Sequence, residues 1–252
     1  MKTKTSKDFL SLFNVKKPIM AMIHLKGDSE EEIFERARFP RSGYIFSHGE
    51  SIIFEKYDVT IVDLRKALEY YIKVEKKKVF GINCLNVDYM GFKLGIEYNA
   101  DFIQLDSVVG HVKERDEPSI DEFLSLMRNE FKGCLLGGVR FKYQPMLSIH
   151  SVEHDLEIAK TRCDGVVVTQ DATGQATSMD KINTFRNALK DFPLIVGAGL
   201  TIENVSEQFA VVDGAIVGSY FKDTYKDSGD VSSKHIEDLM EKVKEIRRNL
   251  ND

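Results

Sequence analysis

Eight short, nearly continuous apolar runs alternate with amphipathic segments along this 252-residue chain. The runs span 19–25, 44–46, 79–85, 102–106, 134–141, 166–169, 194–197 and 215–218. Helical periodicity marks 30–37, 59–74, 87–98, 119–128, 151–161, 179–189 and 202–209, and a last helix at 235–248 closes the series. A strand that is apolar on both faces must be covered on both, which is the condition of a parallel strand in an α/β fold. Eight strand-then-helix units with no Pro/Gly/Ser-rich linker predict one closed (β/α)8 (TIM) barrel over two doubly wound domains. On this reading, residues 1–252 form one domain, with 1–17 an N-terminal extension. Helix starts are expected at Ser119, Ser178 and Thr201, each followed by an early acid. The weakest stretch is 38–57, where strand two is poor and Phe39-Pro40-Arg41-Ser42-Gly43 reads as loop.

The last two runs end on glycine: Leu194-Ile-Val-Gly-Ala-Gly-Leu200 and Asp213-Gly-Ala-Ile-Val-Gly-Ser219. Two parallel strands ending side by side in bare backbone form an anion cradle. Glycine admits close approach of peptide N–H groups, and a following helix start adds partial positive charge. Barrels of this class frequently bind phosphate at the loops after strands seven and eight. Gly197, Gly199, Gly218 and Ser219 are therefore the expected phosphate ligands. The alternative is that the glycines only turn the chain.

Chemistry in such a barrel belongs at the C-terminal strand ends. These ends carry His24 on strand one and Ser47-His48-Gly49-Glu50 after strand two. Asn83 follows on strand three, Asp106 on strand four, and Arg140 with Lys142 on strand five. Thr169-Gln170-Asp171, Thr173 and Gly174 follow strand six, and Lys222 lies beyond strand eight. Asp106 is a general-base candidate, because burial raises a carboxyl pKa; its alternative role is to cap the next turn. His24 reads either as a proton carrier or as a hydrogen-bonded histidine at the mouth. Arg140 and Lys142 stand two apart, so they share one strand face, suited to an anion or to developing negative charge; the alternative is a pair straddling the rim and reaching water. Thr173-Gly174 either closes a loop over the ligand or makes an ordinary turn.

Composition narrows the partners. A net charge of -5 gives no global attraction for nucleic acid or anionic lipid. Cys84, Cys134 and Cys163 show no C-x-x-C pairing and read as buried thiols in a reducing cytosol, with a catalytic thiol at Cys84 the alternative. No signal-like segment and no membrane-length apolar run occurs, so the expectation is cytoplasmic, with peripheral membrane association left open. No cofactor is indicated. A divalent metal around His24, Asp106 and Glu50 stays open, although H-E-x-x-H is absent and no metal ligand set is assigned. The G-x-S-x-G elbow and the Walker loop are also absent.

Taken in order, several segments resemble the BtpA/SgcQ family. These are Lys17-Pro-Ile-Met-Ala-Met-Ile-His-Leu25, Phe80-Gly-Ile-Asn83, Asp164-Gly-Val-Val-Val-Thr169 with Thr173-Gly174, Val196-Gly-Ala-Gly-Leu-Thr-Ile-Glu-Asn-Val205 and Asp213 through Lys222. The resemblance implies a phosphate-binding (β/α)8 barrel. It places His24, Asn83, Lys142, Thr173, Gly174, Gly197, Gly199, Gly218 and Lys222 on family-pattern positions. One branch of that family is linked to photosystem I biogenesis at the thylakoid membrane, and others lie in sugar-utilisation settings. The chain departs from the pattern after Leu25, through 43–54, at Asp106-Ser-Val-Val-Gly110 and at Val139-Arg-Phe-Lys-Tyr-Gln144, which marks a divergent member. Two functions follow as expectations. The first is an enzyme of lyase, isomerase or hydrolase type on a phosphorylated small metabolite, a sugar phosphate or nucleotide-like compound. The second is a non-catalytic biogenesis factor using the barrel as scaffold. Barrels of this size often pair, so a homo-oligomer is expected.

Overall fold

Residues apolar on both faces come to lie between two apolar layers. The computed structural model describes residues 8–26, 51–58, 60–74, 78–85, 87–109, 116–144, 146–147 and 149–250. Its strands are β1 (Ile19–Lys26), β2 (Ser51–Asp58), β3 (Phe80–Cys84), β4 (Phe102–Leu105), β5 (Cys134–Gly138), β6 (Gly165–Val168), β7 (Leu194–Val196) and β8 (Gly214–Val217). They close into one parallel barrel in chain order, β8 pairing with β1. The helices are α1 (Ile61–Val74), α2 (Asp88–Glu97), α3 (Glu117–Glu130), α4 (Val152–Arg162), α5 (Met179–Leu189), α6 (Val205–Phe209) and α7 (Ser233–Asn249). Along β1 the side chains alternate, as a period of two requires. Met20 and Met22 enter the inner core with Ile53, Phe102, Leu136, Val167, Ile195 and Ile216, whereas Ile19, Ala21, Ile23 and Leu25 join the outer core beneath the helices.

The expected order of elements holds, with corrections. Strand two is Ser51–Asp58, not 44–46, which lies outside the described residues together with the expected helix at 30–37 and with Ser47 to Glu50. The α3 cap is Asp116, which accepts the Ser119 N–H, and Ser119 itself sits inside the first turn behind Pro118. Ser178 caps α5 as expected. Thr201 precedes α6 by a turn and donates its N–H to Asn204 Oδ1 at 2.8 Å.

Two devices tie the N-terminal end of the barrel. Part of the expected extension folds as a 3-10 turn, Phe9–Leu12, capped by Asp8, and seats Phe9 in the inner core against Phe13 and Phe102. An aspartate also stands before each of β4, β6 and β8 and accepts an N–H from the start of the preceding strand. Asp101 takes Phe80 N at 2.9 Å, Asp164 takes Leu135 N at 2.8 Å, and Asp213 takes Leu194 N at 2.9 Å. Arg128 and Arg186 neutralise the second and third of these, at 2.6 and 2.5 Å.

Candidate active site

At the C-terminal end of the barrel, β1 to β4 present a polar row in ladder register. His24 stands opposite Glu55, Glu55 opposite Asn83, and Asn83 opposite Gln104. Ladder partners on parallel strands point the same way, so all four enter the barrel above Met22 and Ile53. All are buried. His24 Nε2 lies 3.2 Å from Glu55 Oε2, and Asn83 Nδ2 donates to Glu55 Oε1 at 3.4 Å and to Asp106 Oδ1 at 3.2 Å. Asparagine thus bridges two carboxyl groups. Burial pushes Glu55 up to about 7, with Asp106 and Asp227 adding to the rise and Lys142 opposing it. Burial also raises Asp106, against the pull of Asn83, Lys142 and Gln104.

Lys142 joins this row to the other half of the mouth. Its N–H donates to Thr169 Oγ1 at 2.8 Å and its Nζ donates to Thr173 Oγ1 at 3.1 Å. A cavity of about 240 Å³ opens between them, bounded by His24, Glu55, Asp106, Lys142, Tyr143 and Thr173 among others. Arg140 does not share this face. β5 ends at Gly138, where a Cβ would meet the Asp106 carbonyl oxygen at 2.2 Å, and Arg140 takes φ +49. Its guanidinium instead binds Asp155 of α4 at 3.0 Å and the His150 carbonyl at 2.8 Å.

The glycine half fills the rest of the mouth. Gly174, Gly197, Gly199, Gly218 and Ser219 line one cavity together with His24, Lys142 and Thr173. Among the described residues, no hydrogen bond within the protein uses the N–H of Gly174, Gly199 or Ser219 as donor. Gly199 has φ +65, and a Cβ there would stand 2.2 Å from the Gln175 carbonyl oxygen. Asn204 holds this turn by donating to the Gly199 carbonyl at 2.8 Å. At Gly218 a Cβ would meet His24 Cε1 at 2.7 Å, so the missing side chain lets the histidine ring lie against the glycine half. Gly199→Ala is expected to weaken inorganic phosphate binding by about tenfold or more, read by calorimetry, because the clash is with backbone and the φ is left-handed.

Of the residues expected from sequence, the mouth gathers His24, Asn83, Asp106, Lys142, Thr173, Gly174, Gly197, Gly199, Gly218 and Ser219. Arg140 points to α4. Lys222 is buried after β8 and lines neither cavity. Glu55 and Gln104 were missed, although Ser51-Ile-Ile-Phe-Glu55 carries the same apolar-run-then-polar signal as the other strand ends. The Cys84 thiol is buried and pushed up to about 12, which leaves almost no thiolate at neutral pH. His150 and His154 stand in H-x-x-x-H spacing, and their rings stack at 4.3 Å outside the mouth, at the start of α4. Among the described residues, no group of three His, Cys, Asp or Glu is placed to hold a metal, and no helix is long and apolar enough to cross a membrane.

Comparison with known proteins places this geometry in context. The sequence profile of the BtpA family matches residues 68–245. An uncharacterized protein of Thermococcus kodakarensis is 25% identical over 256 residues, covering 92% of this chain and 97% of its own. Among solved structures, the native KDPGal structure superposes with a TM-score of 0.65 at 11% identity, covering 94% of this chain and 98% of that one. Phosphoribosyl anthranilate isomerase from Thermus thermophilus gives 0.61 at 12%, covering 91% and 100%. At such identities the likeness is one of fold.

Proposed function

The chain belongs to the BtpA family, and from that premise we propose that it is an enzyme moving a proton on a phosphorylated small metabolite. The observation that carries this is the carboxyl pair of buried Glu55 and half-buried Asp106, bridged by Asn83 and opening on the same mouth as Lys142 and the glycines. The phosphate is held by the N–H groups of Gly174, Gly199 and Ser219, with Lys142 supplying charge. So anchored, the reacting part of the ligand lies in the 240 Å³ cavity. A carboxyl group with a pKa near 7 both takes and returns a proton at neutral pH, so Glu55 is the base and then the acid. Burial sets its proton affinity, with Asp106 raising it further, His24 lies 3.2 Å from its carboxyl group, and Lys142 stabilises negative charge built on an adjacent ligand oxygen. This is chemistry of the isomerase or lyase kind, and the fold alone does not choose between them.

One observation favours the scaffold reading: the loop after β5 exposes Tyr143, Met146, Leu147 and Ile149, the last at 96%. A scaffold has no use for a buried carboxyl group bridged to a second one, however, so the enzyme reading is preferred. Thermal-shift screening of phosphorylated metabolites tests it. Stabilisation by one ligand class is expected, and Lys142→Ala is expected to weaken that class about tenfold to a hundredfold, as loss of a charged hydrogen bond does. If no phosphorylated compound stabilises the wild-type protein, the cradle is refuted.

A further inference from the structure

Beyond the cradle, on the side away from Glu55, the loop after β8 gathers three aromatic rings. Tyr225 stacks on His235 of α7, with centroids 4.4 Å apart and planes 11° from parallel. Tyr220 leans on both, at 5.6 and 5.9 Å. The His235 ring is fixed by its Nδ1–H, which donates to the Lys222 carbonyl at 2.9 Å, and the Tyr225 N–H donates to the same carbonyl at 3.1 Å. Tyr225 is held at φ +56, a left-handed conformation that a bulky side chain rarely adopts. Such strain persists only where the surroundings enforce it, and it concentrates at ligand-binding positions. Tyr225 is nevertheless 53% exposed.

Tyr220 and Tyr225 line a cleft together with Gly174, Gly199, Gly218 and Ser219, and those same four residues line the cradle. On its other side the cradle shares His24, Lys142 and Thr173 with the acid cavity. The cradle therefore stands between two openings, one acidic and one aromatic. A site for a simple sugar phosphate needs only one of them.

We propose that the ligand is a nucleotide-type phosphate diester: the flat heterocycle of its nucleoside stacks on Tyr225, while the second group on the phosphate, the reacting part, faces Glu55. The heterocycle finds a ring platform already held at a fixed angle, and stacking on an aromatic face tolerates any base. This inference rests on the reading of the β7 and β8 glycines as a phosphate cradle.

The test is calorimetric titration of wild type, Tyr225→Ala and Tyr225→Phe with inorganic phosphate, ribose 5-phosphate and adenosine 5′-monophosphate. The last two differ only at the anomeric carbon, where adenine replaces the hydroxyl. Wild type is expected to bind the nucleotide about tenfold tighter than the sugar phosphate. Tyr225→Ala is expected to erase that gap while leaving the ribose 5-phosphate affinity unchanged, and Tyr225→Phe is expected to keep it. Equal affinities in wild type overturn the proposal, as does a gap that survives in Tyr225→Ala, which would put the base in the acid cavity. If phosphate and ribose 5-phosphate bind without a gain from adenine, the aromatic subsite alone falls. If none of the three binds, the cradle falls and the subsite with it.

Discussion

Replacing Glu55 by Gln is expected to slow turnover by about 10²- to 10⁴-fold while making the protein more stable at pH 8. The first effect follows from the proposed role of Glu55, since the change removes a proton-transfer group of matched pKa. The second follows from linkage. Glu55 titrates at about 7 in the folded state against 4.5 for an ordinary glutamate. Between these values the folded protein keeps a proton that the unfolded chain has released, so stability falls as pH rises through the window. The full penalty, about 3 kcal/mol, is in place above pH 7 and absent below pH 4.5. Glutamine carries no such penalty. Urea unfolding should therefore show the two proteins nearly equal at pH 4.5, with Glu55→Gln ahead by about 3 kcal/mol at pH 8. Parallel pH profiles would show that Glu55 ionises like a surface glutamate and is no base. A variant that gains stability as it loses turnover is the mark of a carboxylate kept for chemistry rather than for folding.

Phe9→Ala is expected to cost about 3–5 kcal/mol, the usual range for deleting a buried phenyl ring. Phe9 is fully buried, with its ring 5.3 Å from Phe13 and 5.6 Å from Phe102 in edge-to-face contact. Phe102 in turn lies across Gly81, where a Cβ would meet its ring at 2.3 Å, so the aromatic layer has nothing to shift into the vacated space. In a domain of this size the loss lowers Tm by about 10 °C. Phosphate affinity should not change, because the plug lies at the opposite end of the barrel from the glycines. Scanning calorimetry with a parallel phosphate titration reads both. A Tm within a degree or two of wild type would mean that residues 8–13 merely rest on the barrel.

The order of strands and the glycine half were legible in the sequence because their signals are local. Each strand from β3 onward is a short buried run, and Gly197, Gly199 and Gly218 end theirs in plain view. Glu55 was not legible, because the reading set strand two at 44–46 and so left Ser51–Asp58 without an element. Its meaning is also non-local. His24 and Asn83 reach it from the neighbouring strands, and nothing within 51–58 announces a carboxyl group buried among them. Arg140 misled for the opposite reason. The rule that residues two apart share a face assumes a continuing strand, and β5 stops at Gly138 where the Asp106 backbone presses close. The α3 cap shows a smaller version: Pro118 marks a first turn, so the capping residue had to precede it, as Asp116 does.

The central claim is that the bare backbone after β6, β7 and β8 holds a phosphate group, and an amide-resolved NMR titration with inorganic phosphate tests it most directly. The expected result is a saturable downfield movement of the Gly174, Gly199 and Ser219 N–H signals, lost in Gly199→Ala. Saturable binding that moves other amides and leaves these three in place would contradict it.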